Sequence, residues 1–154
     1  MTFKQRLSIG SVGEAIVKDY LISQGWIVYA PCNNGPHPFD FMCYKNGKAF
    51  IAEVKTKTVM SKYFATGIPI SHYNTYKQFQ TQYNMPVFIF FVDTSLGFIY
   101  GNYLDELEKP IDLREEGTTA HYPLIMQKSA VIVFPLVNMR TIAPIGQINS
   151  SEAH

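Results

Sequence analysis

Residues 38–55 read PFDFMCYKNGKAFIAEVK, and their interpretation decides the fold. Asn46-Gly47 divides the segment, and both residues tolerate the positive φ that a two-residue type I′ turn requires. Two antiparallel strands follow. If Asn46 and Gly47 form the turn, Lys45 faces Lys48 and Asp40 faces Glu53. Directly opposed residues have Cβ atoms about 4.5–5.5 Å apart, where like charges repel unless a cation lies between them. Strand alternation sets Glu53 and Lys55 on one face and Val54 on the other. Their neighbours are mostly Phe, Met, Ile, Ala and Val, and ionisable groups persist among such residues because they pair or hold a metal. The segment alone leaves two other arrangements open: a structural Asp/Lys/Glu salt bridge, or a three-residue loop that keeps Asp40 and Glu53 apart.

Working outward, Ser11-Val12-Gly13-Glu14 predicts the start of a helix capped by Ser11 and ended by Gly25. Trp26–Ala30 is β-prone, and PCNNGPHP (31–38) is a loop. Beyond the hairpin, Pro69-Ile70-Ser71 predicts a second helix through Tyr83, with Met85-Pro86 ending it. Val87–Val92 is a continuous apolar run, as expected of a strand covered on both faces, and Phe98–Tyr103 pairs with it across DTSLG. Leu104–Glu108 is one helical turn, residues 112–121 an exposed loop, and Ala130–Phe134 a last strand. The order helix, three strands, helix, strand predicts an α/β fold with a mixed central sheet, flanking helices and C-terminal additions. We expect one domain over residues 1–145 and a flexible tail over 146–154.

The 154 residues suffice for one core, and 47% hydrophobic against 16% charged residues excludes a mostly disordered chain. No apolar run of about 18 residues exists, and MTFKQRLSIG lacks the apolar centre of a secretory signal. We therefore expect a cytoplasmic protein with no membrane association. Cys32 and Cys43 fit no metal spacing and read as buried or reduced thiols. The four histidines are scattered, which argues against zinc. Net charge is +1, yet residues 1–62 hold eight Lys/Arg against four acids and the rest holds five against eight. The basic N-terminal part can face a polyanion. Two carboxylates without Cys or His select Mg²⁺ or Mn²⁺, an ion that polarises phosphoryl oxygens.

Pro38-Phe39-Asp40, twelve intervening residues and then Glu53-Val54-Lys55, preceded by a helix bearing Gly13-Glu14, resembles the PD-(D/E)XK nuclease superfamily. The resemblance extends to its Holliday junction resolvase-like and restriction endonuclease-like branches. It spans roughly residues 9–92 and implies an αβββαβ core. It makes Asp40 and Glu53 metal ligands with the Val54 carbonyl as a further one, Lys55 the catalytic lysine, and Glu14 an acid completing the metal shell directly or through water. The competing role for Glu14 is a capping box with Ser11. One departure is Phe39 immediately before Asp40, with the proline a place earlier. Lys57, Tyr73, Lys77 and Gln80 are candidates for nucleic-acid contact. The implied activity is divalent-metal-dependent DNA endonuclease, with junction or branched DNA as a candidate substrate and a homodimer as the expected assembly. The alternative is a non-catalytic module that binds nucleic acid or a partner on the same fold.

Overall fold

Asn46 and Gly47 take φ of 50° and 77°, the left-handed pair a type I′ hairpin needs. In the computed structural model, which describes residues 2–31, 37–57 and 65–148, this turn joins β2 (Phe41–Lys45) to β3 (Lys48–Thr56). The register runs from Phe41 opposite Ala52 to Lys45 opposite Lys48, as the two-residue turn dictates. The three-residue loop is thereby ruled out.

The helix α1 (Phe3–Ser23) precedes β1 (Ile27–Tyr29), which pairs antiparallel with β2. After β3 the chain passes through β4 (Ala65–Pro69) and α2 (Ile70–Tyr83) to β5 (Val87–Asp93), which pairs parallel with β3. All seven residues of β5 are buried, as a strand covered on both faces requires. β6 (Phe98–Tyr103) returns antiparallel to β5, and α3 (Leu104–Leu107) follows as a single turn. The mixed αβββαβ core predicted from the order of elements is present, with β4 inserted before its second helix.

The C-terminal part departs further from expectation. Residues 112–121 are not a loop: β7 (Ile111–Glu115) and β8 (Thr118–Tyr122) form a hairpin about Glu116 and Gly117, with φ of 47° and 78°. The run around Ala130–Phe134 is β10 (Val131–Pro135), which lies between β4 and β9 (Leu124–Met126) in a three-stranded sheet. It is not the last strand. β11 (Arg140–Pro144) joins the edge of the main sheet beside β6, giving the order β1-β2-β3-β5-β6-β11, and its pairing shifts between Thr141 and Ala143. The expected tail begins within a final helical turn, α4 (Ile145–Ile148), and residues 149–154 lie outside the described residues.

Helix α1 also starts earlier than Ser11, because Lys4, Gln5, Arg6 and Leu7 are good helix formers. Ser11 therefore sits in the helix interior, where it has no N-terminal N–H groups to cap. The capping box with Glu14 does not form.

The sheet separates two apolar layers. Val17 and Leu21 of α1 pack with Cys43, Phe50, Ala52 and Val54 on one face. Tyr76 of α2 packs with Ile51, Ile89, Phe91 and Phe134 on the other. Each fully buried Val, Leu, Ile or Phe among them contributes about 1.5–3 kcal/mol relative to exposure. Cys43 is a free, buried thiol whose desolvation pushes its pKa up to about 12, while Cys32 lies outside the described residues. No helix among the described residues is long and apolar enough to cross a membrane.

Candidate active site

β2 begins at Phe41, so β3 runs past it and exposes backbone groups on that side. Asp40 takes up one of them. Its N–H donates to the Ala52 carbonyl at 3.2 Å, and its Oδ2 accepts the Val54 N–H at 2.7 Å. Within a strand the N–H and C=O of one residue point the same way. The Val54 carbonyl therefore faces the side where Asp40 sits, beyond the end of β2.

Glu53 and Lys55 project to the α2 face of the sheet. Lys55 Nζ donates to Glu53 Oε1 at 2.8 Å, with only 15% and 9% of the two side chains exposed. Tyr76 donates its hydroxyl to Glu53, and the Lys55 ammonium lies 5.8 Å from the Tyr76 ring centre. Lys55 Nζ also lies 3.1 Å from His72 Nδ1.

Glu14 reaches this point from the opposite layer. A Cβ on Gly13 would collide with Thr56 Oγ1, so the glycine lets α1 lie directly on the end of β3. Burial is the largest cause raising the Glu14 pKa; the charge of Glu53 adds to it and that of Lys55 opposes it. Asp40 is pushed up to about 7, first by burial and then by Glu53, with the Val54 N–H bond opposing and Glu14 adding a smaller rise. The charges of Asp40, Glu53 and Glu14 thus act on one another near the end of β3. A cation at that point would relieve both repulsion and desolvation.

Among the described residues, however, no three Asp, Glu, His or Cys side chains converge closely enough to hold a metal by themselves. Oδ2 of Asp40 is occupied by a backbone N–H, and Oε1 of Glu53 by Lys55. The all-oxygen donor set still fits Mg²⁺, which commonly binds through one or two carboxylates and retains several waters. Asp40, Glu53 and the Val54 carbonyl are the groups that could hold it, with Glu14 close enough to feel the charges of Glu53 and Lys55.

The other expected contacts divide. Lys57 continues past β3 through its N–H to Val92 O at 3.0 Å, and desolvation followed by the like charge of Lys55 lowers its pKa. Tyr73, Lys77 and Gln80 of α2 engage acids around α3 rather than Asp40, Glu53 or Glu14. Tyr73 donates to Glu108 at 2.7 Å, Lys77 to Glu108 at 2.6 Å, and Gln80 to Asp105. A phosphate there would compete with two acids of the α3 region. His72, which no sequence motif singled out, lines a hollow of about 150 Å³ with His37, Pro38, Glu53, Thr75 and Tyr76. The spacing of His72 and Tyr76, four apart on one helix, was the signal that could have found it. A second hollow of about 300 Å³ lies on the α1 face against Trp26, Phe50, Phe88, Tyr103 and Arg140. It has no carboxylate in its lining, whereas the smaller hollow has Glu53.

No protein-family model matches the chain, and no curated protein sequence matches it. Among solved structures, it is similar to Hjc of Archaeoglobus fulgidus, described as a Holliday junction resolvase from an archaeal hyperthermophile. The TM-score is 0.51 at 14% identity, over 65% of this chain and 81% of the other. At that identity the likeness shows a shared fold, a mixed sheet with flanking helices.

Proposed function

We propose that the chain is a divalent-metal-dependent DNA endonuclease that hydrolyses phosphodiester bonds, with branched or junction DNA as its substrate class. One observation carries the reading: Asp40 is anchored on Val54 beside the buried Glu53–Lys55 pair, at the end of a strand that outruns its neighbour. The fold it shares with a Holliday junction resolvase supports the choice of DNA.

In this reading Asp40, Glu53 and the Val54 carbonyl hold Mg²⁺ or Mn²⁺. When bound, the ion supplies Lewis-acid polarisation of the phosphoryl oxygen and stabilises charge on the leaving oxygen. Lys55 supplies a fixed positive charge that orients the attacking water or neutralises the developing phosphorane charge. Glu14, partly buried with a raised pKa, is suited to accept a proton from water in the outer shell. Lys57 contributes phosphate attraction at the strand end. Cleaving two strands of a junction needs two such sites, which supports a homodimer.

The test is cleavage of a four-way junction beside plain duplex of the same sequence, with and without Mg²⁺. The expected result is metal-dependent nicking, lost in Asp40→Asn, Glu53→Gln and Lys55→Ala. Activity without metal, or full activity in all three variants, would sink the reading. A second reading, a binding module on this fold that does not cut, is favoured by the lack of three converging ligand side chains among the described residues. Salt-dependent DNA binding with no cleavage in Mg²⁺ or Mn²⁺ would decide for it.

A further inference from the structure

A lysine ammonium carries three N–H donors and no acceptor. For Lys55, Glu53 Oε1 takes one at 2.8 Å and His72 Nδ1 lies at 3.1 Å to take a second. Facing an ammonium, Nδ1 can only accept, so the neutral ring carries its proton on Nε2. Burial, and after it the positive charge of Lys55, lowers the His72 pKa and favours that neutral form.

Four residues further along α2, Tyr76 donates to Glu53. Residues at i and i+4 stand one above the other on a helix. A single face of α2 therefore touches both members of the Glu53–Lys55 pair. Tyr76 is buried at 4% exposure, whereas His72 lies at the rim, beside the hollow that also contains Glu53.

Building on the nuclease reading, we propose that His72 and Tyr76 are positioning residues of the hydrolytic site. His72 fixes the Lys55 ammonium and Tyr76 fixes the Glu53 carboxylate. With two donors held, the third N–H of Lys55 is left for a phosphate oxygen or the attacking water. The helix thereby sets the direction of the lysine without itself touching the reacting atoms.

The experiment uses the full chain, with His72→Ala, His72→Asn and His72→Gln, read in two ways. The first is junction cleavage in Mg²⁺. A hydrogen bond to a charged group supports an expected kcat loss of about 10- to 100-fold in His72→Ala with KM within about twofold. Asn, whose Oδ1 can stand where Nδ1 stood, should restore kcat to within about threefold, and Gln should not. Tyr76→Phe, which keeps the ring, should lose about tenfold. The second reading is the Nζ resonance of Lys55 in ¹⁵N-labelled protein without DNA or metal. It should be sharp in the parent, broadened in His72→Ala and recovered in His72→Asn.

Two results would overturn the proposal: His72→Ala cleaving at the parent rate with the Lys55 resonance unchanged, or Asn failing to differ from Gln in both measurements. If the parent cuts no DNA while the Lys55 resonance still depends on the residue at 72, the nuclease reading falls and the positioning contact stands. If Asp40→Asn abolishes cleavage and His72→Ala changes neither rate nor resonance, the positioning role falls and the nuclease reading stands.

Discussion

Two hairpins of this chain turn through the same pair of conformations and reach different ends. Asn46-Gly47 joins β2 to β3, and Glu116-Gly117 joins β7 to β8. Strands β7 and β8 have five residues each, pair along their whole length and form a sheet of their own. By contrast, β2 has five residues and β3 has nine. The surplus of β3 carries Glu53, Val54 and Lys55, supported on its far side by β5. Glu53, Val54 and Lys55 thus lie where β3 outlasts β2, and there the Val54 N–H is left for Asp40 to engage.

The largest expected contrast between the hairpins is catalytic. Asp40→Asn, Glu53→Gln and Lys55→Ala should each lower junction cleavage at least about 10²- to 10³-fold. Asp112→Asn and His121→Ala, which break the exposed 2.6 Å Asp112–His121 pair on the second hairpin, should leave the rate within about twofold. Equal losses in both sets would erase the distinction.

Gly13→Ala should be next. Its Cβ meets Thr56 at the end of β3, and overpacking of this kind costs about 1–3 kcal/mol. Cleavage should fall alongside stability, because α1 carries Glu14 away as it yields. Chemical denaturation and the junction assay read the two effects separately.

A pH series sharpens the comparison further. Asp40 has a folded pKa of about 7, above the roughly 3.9 of a free aspartate. The fold therefore holds this proton more tightly than the unfolded chain does. That stabilisation is fully present below about pH 4 and is lost as pH rises through 7. The difference in Tm between the parent and Asp40→Asn should change across this window, with each kcal/mol moving Tm by about 2–4 °C. Mg²⁺ should raise Tm more at pH 8 than at pH 5. A metal-independent Tm at pH 8 would remove the carboxylates as an ion site.

The smallest effects should come from the turns themselves. Gly47 and Gly117 both have positive φ, so Ala at either position should cost about 1–2 kcal/mol. Only Gly47→Ala should also reduce cleavage, since only that turn sets the register of the site. Urea denaturation of each variant, paired with the junction assay, checks this.

What the sequence disclosed follows the same division. Asn46-Gly47 is a local signal, because Asn enters the left-handed region readily, and it fixed the register from Phe41 to Lys45. Glu116 adopts the same conformation at φ 47° against its own preference, so nothing in the residues around it announced a hairpin. Strand β4 was hidden for a different reason. Ala65–Pro69 contains a glycine and a proline, both poor in strands, and it forms because bare Gly67 lets Val131 and Ile132 of β10 approach. His72 was legible only in part. Its spacing from Tyr76 is written in the chain, but its contact with Lys55 arises when β4 and α2 fold back over β3. The Ser11 cap was misread because local pattern cannot say how far upstream a helix begins.

The rims of the main sheet have a consequence for how the protein behaves in a crowded solution. At one rim β1 offers a template only three residues long. At the other, β11 is out of step with β6 between Thr141 and Ala143. A foreign strand would find too little backbone on the first and an interrupted ladder beside the second, where exposed Arg140 adds a charge, so the sheet resists growth into aggregates.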